Sequence, residues 1–276
     1  LWDYAINRDG SAEPDFDGAR LLVPFPLESQ LSGVQGGRLG PQDYLWYRRL
    51  FDAPRAWRSQ RILLHFGAVD CDASVRVNGQ EVATHQGGYD GFSVDITEQL
   101  SDEVQQEIVV RVSDPTETGE RPRGKQALSP VAGASLPAIS GIWQTVWLEP
   151  VADLRLEDVV LEGDPSTGAL HVTPRFSGDA SDTTLRAVVR DEGVEVARGE
   201  GPGSAGLKLT IPSPRAWTPD TPHLYGVTLE LEREGALLDS ADSYFGLRSV
   251  ALGNDAGATR VSLNGAAWGG IGVVYQ

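Results

Sequence analysis

Sulfur-containing residues are almost absent from this 276-residue chain, which has one cysteine, Cys71, and no methionine. A single cysteine excludes an internal disulfide and a cysteine-rich metal site. Because the chain starts at Leu1 and lacks methionine, we expect it to be a piece of a longer protein. The low cysteine content slightly favours a cytoplasmic location, and secretion stays open because the natural N-terminus is not visible.

Metal-binding and membrane-spanning patterns are also missing. The four histidines (His65, His85, His171 and His223) show no H-x-x-x-H spacing, so we predict neither a metal site nor another cofactor. No apolar run approaches the ~18 residues of a membrane span. The formal charge of −16 and the pI of about 4.6 argue against nucleic acid and anionic membranes as partners.

Short segments with alternating apolar residues fill the first half of the chain. They are "YLWYRRLF" (44–51), "RILLHF" (61–66), "ASVRVNGQEVATH" (73–85), "GFSVDIT" (91–97) and "EIVVRVS" (107–113). Such alternation indicates half-buried strands, and Asn78-Gly79 predicts a two-residue hairpin turn. No segment predicts an amphipathic helix longer than about two turns, so the predicted fold class is all-β.

A second set of strand patterns begins near residue 153. The segments are "LRLEDVVLEG", "GALHVTPRF", "TTLRAVVRDEGVEVARGEG", "AGLKLTI" and "HLYGVTLELEREGALLDSADSYFGLRSV", the last with a turn at Glu234-Gly235. About 100 residues with some seven short strands are typical of an immunoglobulin-like sandwich. The sequence therefore predicts two domains, with a boundary near Pro150–Asp153.

The segment "SGIWQTVWLEP" (140–150) carries bulky apolar residues at both alternating positions. This pattern predicts a strand buried on both faces, the last of the first domain, which Pro150 ends. We expect Trp143 and Trp147 to pack under the 114–139 loop or at the domain junction. Stacking of one indole on a sugar ring is the less favoured alternative.

Several of these segments resemble a known family. "LLVPFPLESQLSGV", "LWYRRLF", "LLHFGAVD", "VRVNGQEVATHQGGYDGFSVDIT" and "SGIWQTVWLEPV" resemble, in this order, the amino-terminal sugar-binding domain of glycoside hydrolase family 2. "AWTPDTPHLYGVTLEL" and "YFGLRSV" resemble its immunoglobulin-like second domain. The resemblance implies a jelly-roll (galactose-binding-like) β-sandwich over residues 1–150 and an immunoglobulin-like β-sandwich over residues 151–252.

The resemblance also implies where catalysis takes place. Family members include β-galactosidases, β-glucuronidases and β-mannosidases, and their acid/base glutamate follows an asparagine in a (β/α)₈ barrel. The four asparagines of this chain are followed by Arg8, Gly79, Asp255 and Gly265, so no Asn-Glu pair exists. Residues 253–276 are interpreted as a truncated joint to a missing barrel, because a barrel needs some 200 residues or more. We expect no catalytic residue here and no activity from the chain alone.

One stretch is a candidate binding site. Residues 114–139 break the strand pattern with Pro, Gly, Arg, Lys and Ser, as functional loops do. Arg123, Lys125 and Gln126 are hydrogen-bond donors on a glycine-containing turn, suited to sugar hydroxyl or carboxylate groups. The resemblance implies that this loop lies near the mouth of the barrel. An ordinary solvated charge cluster is the alternative.

Other polar residues have ordinary interpretations. The pairs Asp70/Asp72 and Asp114/Glu117 are predicted to be loop carboxylates that cap turns or are solvated. In "HQGGYDGF" (85–92) we expect a structural role, although Tyr89 could present a stacking face.

The sequence thus predicts the non-catalytic part of an enzyme that hydrolyses β-glycosides, with carbohydrate as the partner of the intact enzyme. Two alternatives stay open: a stand-alone carbohydrate-binding module, and a structural or interaction module without sugar affinity. Exposed aromatic residues around a cleft would favour the binding module, and full burial of Trp143, Trp147 and Tyr89 would favour a scaffold.

Overall fold

The computed structural model describes residues 1–101, 103, 105–118, 122–255 and 257–269. Among these residues the regular structure is almost entirely β, and the helices are the short 3₁₀ turns Gln30–Ser32, Arg55–Trp57 and Thr97–Gln99. In the described residues, no helix is long and apolar enough to cross a membrane. The chain divides into two compact units, one comprising Leu1–Val151 and the other beginning at Ala152. The all-β prediction is confirmed.

The first unit contains thirteen strands among its described residues. They are β1 (Trp2–Asn7), β2 (Arg20–Leu21), β3 (Tyr44–Asp52), β4 (Arg61–Phe66), β5 (Val69–Asp70), β6 (Asp72–Val77), β7 (Gln80–Gln86), β8 (Phe92–Asp95), β9 (Gln105–Ser113), β10 (Gln126–Ala127), β11 (Leu136–Pro137), β12 (Gly141–Ile142) and β13 (Val146–Val151). Each strand segment predicted between residues 44 and 113 forms a strand.

Two sheets make the sandwich of this unit. One has the strand order β2-β1-β3-β9-β6-β7, and the other has the order β13-β4-β8. Strands β3 and β9 are antiparallel along their whole length, with Tyr44 opposite Ser113 and Asp52 opposite Gln105. The end of β9 therefore delivers the chain into the 114–139 loop beside the start of β3.

Alternation along the strands places the core between these sheets. In β4, Ile62, Leu64 and Phe66 are buried, whereas the residues between them are only partly covered. The same core contains Tyr47 of β3 and Val110 of β9. Removal of this apolar surface from water is the main stabilising contribution. Strands β3, β6 and β9 also bury one residue each on the opposite face, namely Trp46, Ser74 and Val109.

The segment 140–150 differs from its prediction. It forms two strands, β12 paired with β5 and β13 paired with β4, which are separated by residues 143–145. Pro150 does not end the second strand but pairs with Ile62 inside it. A proline is tolerated there because β13 is the edge strand of its sheet, so no ladder hydrogen bond from its nitrogen is lost.

The Asn78-Gly79 turn is confirmed. Both residues have positive φ, 48° and 80°, as a two-residue hairpin between β6 and β7 requires. The side chain of Asn78 also fixes the neighbouring segments. Its amide nitrogen donates to Gln99 O at 2.8 Å, and its oxygen accepts from Glu107 N at 2.9 Å.

The second unit contains ten strands among its described residues. They are β14 (Leu156–Gly163), β15 (Ala169–Phe176), β16 (Thr184–Asp191), β17 (Val194–Pro202), β18 (Leu207–Thr210), β19 (Tyr225–Arg233), β20 (Ala236–Phe245), β21 (Val250–Asp255), β22 (Ala258–Leu263) and β23 (Ala266–Ala267). The sheets are β14-β15-β18, β17-β16-β19-β20 and the small sheet β21-β22-β23.

A separate core fills the second unit. Leu185, Val189, Leu229 and Leu170 are completely buried in it, and none of its members belongs to the core of the first unit. Within the segment 253–276, residues 253–255 are the end of β21. Residues 257–269 contain β22 and β23. Residues 270–276 lie outside the described part of the chain, and the proposed joint to a barrel stays a prediction.

Candidate functional site

The tip of the 114–139 loop is a tight turn at Arg123–Gln126. The backbone N–H of Gln126 donates to Arg123 O at 3.0 Å, and the two central residues, Gly124 and Lys125, have φ of 57° and 67°. Positive φ at both central positions identifies a type I′ turn. The loop continues through β10, which pairs in parallel with β11. Residues 119–121 lie outside the described part of the chain.

The two basic residues of the turn are exposed. Arg123 donates from Nη1 to Glu117 O at 3.2 Å, which orients its guanidinium along the loop and leaves other N–H groups available. Within the described residues, Lys125 makes no side-chain hydrogen bond or ion pair. The turn therefore presents two positive side chains to solvent, in a chain whose net charge is −16.

Gln126 has a different role from its two neighbours. Its Nε2 donates to Oδ2 of Asp70 at 3.0 Å, and its Oε1 accepts a hydrogen bond from the backbone N–H of Ile139 at 2.7 Å. The Gln126 side chain thus connects the turn and the end of the loop at Ile139 to Asp70 of β5. Gln126 holds Arg123 and Lys125 in place, and one amide N–H remains for any other partner.

Two further carboxylates, buried Asp114 and half-buried Glu28, anchor the rest of the loop. Asp114 accepts hydrogen bonds from Thr116 N at 2.7 Å and from the Ser140 hydroxyl at 3.0 Å. Glu28 accepts from the backbone N–H of Ser140 at 2.8 Å. The first and last residues of the loop region are therefore connected through Ser140, which is itself buried.

These acids differ from their sequence predictions. Asp70 is 8% exposed and Asp114 is 4% exposed, so neither is solvated. Asp70 lies in β5 and Asp72 begins β6, so these two are strand residues and not loop carboxylates. The capping role predicted for Asp114 is confirmed by its bond to Thr116 N, and exposed Glu117 accepts from Leu128 N at 3.1 Å.

Burial changes the acidity of this cluster. Removal from water raises the pKa of Asp70 to about 6, and the charge of Asp114 adds to the rise, whereas the hydrogen bond from Gln126 opposes it. Burial likewise raises the pKa of Glu28, against the effect of its hydrogen bonds to the backbone. At neutral pH the loop is held by carboxylates whose charged forms are partly desolvated.

Asp70, Cys71 and Asp114 offer potential ligand atoms within 4.8 Å of one another. The hydrogen bonds from Gln126, Thr116 and Ser140 already account for the two carboxylates, so their grouping needs no cation. The space beside them measures about 20 Å³, which is room for about one water molecule.

The segment 85–92 supports the same region. Gly88 lies directly against Asp70, and a Cβ at this position would come within 2.6 Å of Oδ1. Gly88 O accepts a hydrogen bond from Trp143 Nε1 at 2.7 Å. Tyr89, which is 39% exposed, packs edge-on against the Trp143 ring at 6.3 Å between centroids. A structural role for the glycine is evident, and Tyr89 keeps part of its ring in solvent.

The prediction that Trp147 is buried is wrong. Its indole is 45% exposed and stacks on the ring of His65, with 4.7 Å between centroids and 9° between planes. His65 in turn contacts the Ser93 hydroxyl at 2.6 Å and Glu149 Oε2 at 2.9 Å. Cross-strand pairing of β13, β4 and β8 brings these side chains together, because Trp147 lies opposite His65 and His65 lies opposite Ser93.

Two family models match the chain. The model of the galactose-binding domain-like part of glycosyl hydrolase 2 matches residues 39–139, and the glycosyl hydrolases family 2 model matches residues 153–248. The chain belongs to glycosyl hydrolase family 2. The galactose-binding-like sandwich and the immunoglobulin-like sandwich predicted from the sequence are thereby confirmed as its fold classes.

Relatives of this family 2 chain are named as glycosidases. It is 28% identical to a β-galactosidase of Thermoanaerobacter pseudethanolicus over 76% of this chain and 29% of the relative. It is 27% identical to a β-glucuronidase of Paenibacillus borealis over 96% of this chain and 46% of the relative. The chain thus spans less than half the length of these curated relatives.

Solved structures agree on the fold. A β-glucuronidase of Ruminococcus gnavus, in complex with uronic deoxynojirimycin, superimposes with a TM-score of 0.77 at 20% identity. The match covers 96% of this chain and 46% of that structure. The family 2 member of Bacteroides cellulosilyticus gives a TM-score of 0.74 at 21% identity, over 96% of this chain and 37% of that structure.

Proposed function

We propose that this chain supplies the non-catalytic β-sandwich units of a family 2 enzyme that hydrolyses β-glycosides, and that its 123–126 turn forms one edge of the substrate site. The observation that carries the proposal is the turn itself. Two exposed cations, Arg123 and Lys125, are held on a turn that Gln126 fixes to buried Asp70. A loop that is irregular, polar and rigidly anchored has the properties of a binding loop on a rigid scaffold.

Each residue of the turn has a distinct role in this proposal. The Arg123 guanidinium and the Lys125 ammonium donate hydrogen bonds to hydroxyl or carboxylate oxygens of the sugar. Gln126 positions them and can donate its remaining amide N–H. The backbone carries Lys125 in a left-handed conformation at the second central position of the turn, and its side chain is exposed.

In this proposal, catalysis takes place in another part of the enzyme and not at the residues of this chain. Retaining glycosidases need two carboxyl groups about 5 Å apart with a sugar between them. Asp70 and Asp114 approach this spacing, but both are buried and the space beside them is about 20 Å³. A sugar ring cannot enter, so these two acids serve the loop and not the reaction.

The two alternatives make different use of the aromatic residues. Partial exposure of Tyr89 and Trp147 favours a carbohydrate-binding module over a scaffold without sugar affinity. The two side chains have different aromatic partners, however. Trp147 stacks on His65 of the three-stranded sheet, whereas Tyr89 lies against Trp143 beside the loop. A role at the edge of an enzyme site therefore accounts better for the anchored turn.

The proposal is tested by joining the chain to the catalytic portion of the Ruminococcus gnavus β-glucuronidase. The 276-residue chain alone should not hydrolyse nitrophenyl β-galactoside, β-glucuronide or β-mannoside above the buffer rate. The fusion should hydrolyse at least one of them, because catalytic carboxylates accelerate the reaction by many orders of magnitude. Turnover by the chain alone that survives repurification would overturn the proposal.

A further inference from the structure

A concave site lies in the first unit, away from the loop. It is a cavity of about 520 Å³ between the end of β3, the 3₁₀ turn Arg55–Trp57, the start of β4 and the turn Thr97–Gln99. Small-molecule sites in proteins have volumes of roughly 300–1,000 Å³, so this cavity can accept more than one sugar ring.

The register of the sheet separates this cavity from the 123–126 turn. Tyr44 and Ser113 pair at the loop end of β3 and β9, and Asp52 and Gln105 pair at the cavity end. Nine residues of strand, at about 3.4 Å per residue, place the two ends about 27 Å apart. One bound sugar cannot contact both sites.

Hydrogen bonds fix the walls of the cavity. Gln106 is 1% exposed, and its Oε1 accepts a hydrogen bond from Ser101 N at 2.9 Å. On the other wall, Thr97 Oγ1 accepts from Ile62 N at 2.8 Å and donates to Asp95 Oδ1 at 2.5 Å. These bonds hold the walls in the absence of a ligand, so little ordering cost accompanies binding.

The lining combines one apolar wall with a charged rim. Trp57, Leu100 and Ile62 line the apolar wall, and Trp57 and Leu100 are only partly covered by the core. The charged rim consists of two exposed acids, Asp52 and Glu103, and two exposed arginines, Arg55 and Arg58. The Arg55 side chain makes no hydrogen bond or ion pair with the described residues.

This combination matches the chemistry of a pyranose. Sugar rings carry an apolar C–H face, which packs on aromatic rings, and hydroxyl groups that both donate and accept hydrogen bonds. An arginine supplies donors and a carboxylate supplies acceptors, so a neutral ligand with hydroxyl groups satisfies both. A purely apolar ligand would leave the charged rim unused. Because the rim pairs two arginines with two acids, an anion would meet Asp52 and Glu103, and a cation would meet Arg55 and Arg58.

We propose that this cavity, the Trp57 pocket, binds a short neutral β-linked oligosaccharide at a site separate from the 123–126 turn. The choice of a saccharide rests on the proposed function, whereas the position of the site does not. In the enzyme such a pocket holds a second part of a longer chain or a neighbouring chain, which raises the local concentration of substrate.

The test is an NMR titration of the 276-residue chain with cellotriose, mannotriose and lactose, up to about 50 mM because weak sites saturate only near their dissociation constant. The indole N–H signal of Trp57 is assigned from its loss in Trp57→Phe. Saturable movement of this signal and of the backbone signals at residues 97–101 is expected for at least one saccharide.

Two variants and a matched control define the site. Arg55→Ala should weaken binding about fivefold, the factor carried by one exposed hydrogen bond, and Trp57→Ala should weaken it about tenfold. Arg198→Ala, an exposed arginine of the second unit, should leave it unchanged. Because Trp57 touches the core, the Arg55 variant keeps the test valid if Trp57→Ala fails to fold.

Three outcomes would overturn the proposal. No movement of the Trp57 signal with any saccharide excludes the site. Movement confined to residues 123–139 excludes this pocket while supporting the proposed function of the turn. Saturation by phenol without saturation by any saccharide shows an apolar pocket of another class.

Discussion

The side-chain amide of Gln126 donates a hydrogen bond to Oδ2 of Asp70 at 3.0 Å, across a sequence separation of 56 residues. The same side chain accepts from Ile139 N, so it joins β5, the turn and the end of the loop. Most of the loop's order depends on this glutamine, on buried Asp114 and on half-buried Glu28, because the loop has few apolar contacts of its own.

Replacing Gln126 therefore tests the anchoring of the turn. Gln126→Leu should lower the free energy of unfolding by about 1–3 kcal/mol, since it leaves the Ile139 N–H and the Asp70 carboxylate without partners. Lys125→Gly is the matched change one residue away, and it should have little effect or stabilise, because glycine adopts φ of 67° without strain. Urea unfolding followed by tryptophan fluorescence measures the free energy of unfolding of both variants. Equal changes for Gln126→Leu and Lys125→Gly would contradict the anchoring role of Gln126.

The raised pKa of Asp70 predicts a pH dependence of stability. The folded-state pKa is about 6 against 3.8 for the free side chain, so the folded protein retains a proton that the unfolded chain releases as pH rises through this interval. Stability should therefore fall between pH 4 and pH 6 by about 2 kcal/mol through this group. Asp70→Asn, which still accepts from Gln126, should be more stable than the parent above pH 6, and the difference should vanish near pH 4.

Asp164 provides a control of opposite sign. Hydrogen bonds from the Ser166 hydroxyl and backbone hold its pKa at about 2, below the usual 3.8. Its contribution to stability is complete above pH 3.8 and is lost as pH falls towards 2. Asp164→Asn should thus be less stable than the parent at neutral pH, with a difference that shrinks in acid. If Asp70→Asn showed this same profile, the buried environment of Asp70 would be disproved.

The two separate cores predict independent folding. Fragments 1–151 and 152–269 each contain a complete set of core residues, so each should give a dispersed β-type amide spectrum that overlays with that of the whole chain. Aggregation of both fragments, or collapse of their spectra, would show that the units depend on each other to fold.

Period-two alternation was sufficient to predict the strands between residues 44 and 113, because each of them contributes alternating apolar residues to the core. The Asn78-Gly79 turn was predictable because few residue pairs adopt positive φ twice. The break in the segment 140–150 was not predictable from the sequence, since Trp143 and Trp147 fit an uninterrupted strand pattern equally well. Trp147 lies beside His65 because of the register between β13 and β4, and no local sequence pattern indicates that register.

The anchoring network lay beyond sequence reasoning for a related reason. Glu28 and Ser140 are 112 residues apart, and Asp114 and Ser140 are 26 apart, so no spacing rule connects them. Acids in loops are usually solvated, which is why burial of Asp70 and Asp114 was not expected. For Asp70, the one sequence signal is Gly88, whose missing side chain leaves room for the Asp70 carboxylate.

The most direct test of the central proposal is the steady-state kinetics of Arg123→Ala and Lys125→Ala in the fusion with the Ruminococcus gnavus catalytic portion. Each variant should lower kcat/KM about fivefold or more, as loss of a hydrogen bond to substrate requires, with melting temperatures unchanged. Arg198→Ala, which removes an exposed arginine of the second unit, should match the parent. If all three variants stay within about twofold of the parent while remaining folded, the 123–126 turn does not contact substrate and the proposed role is wrong.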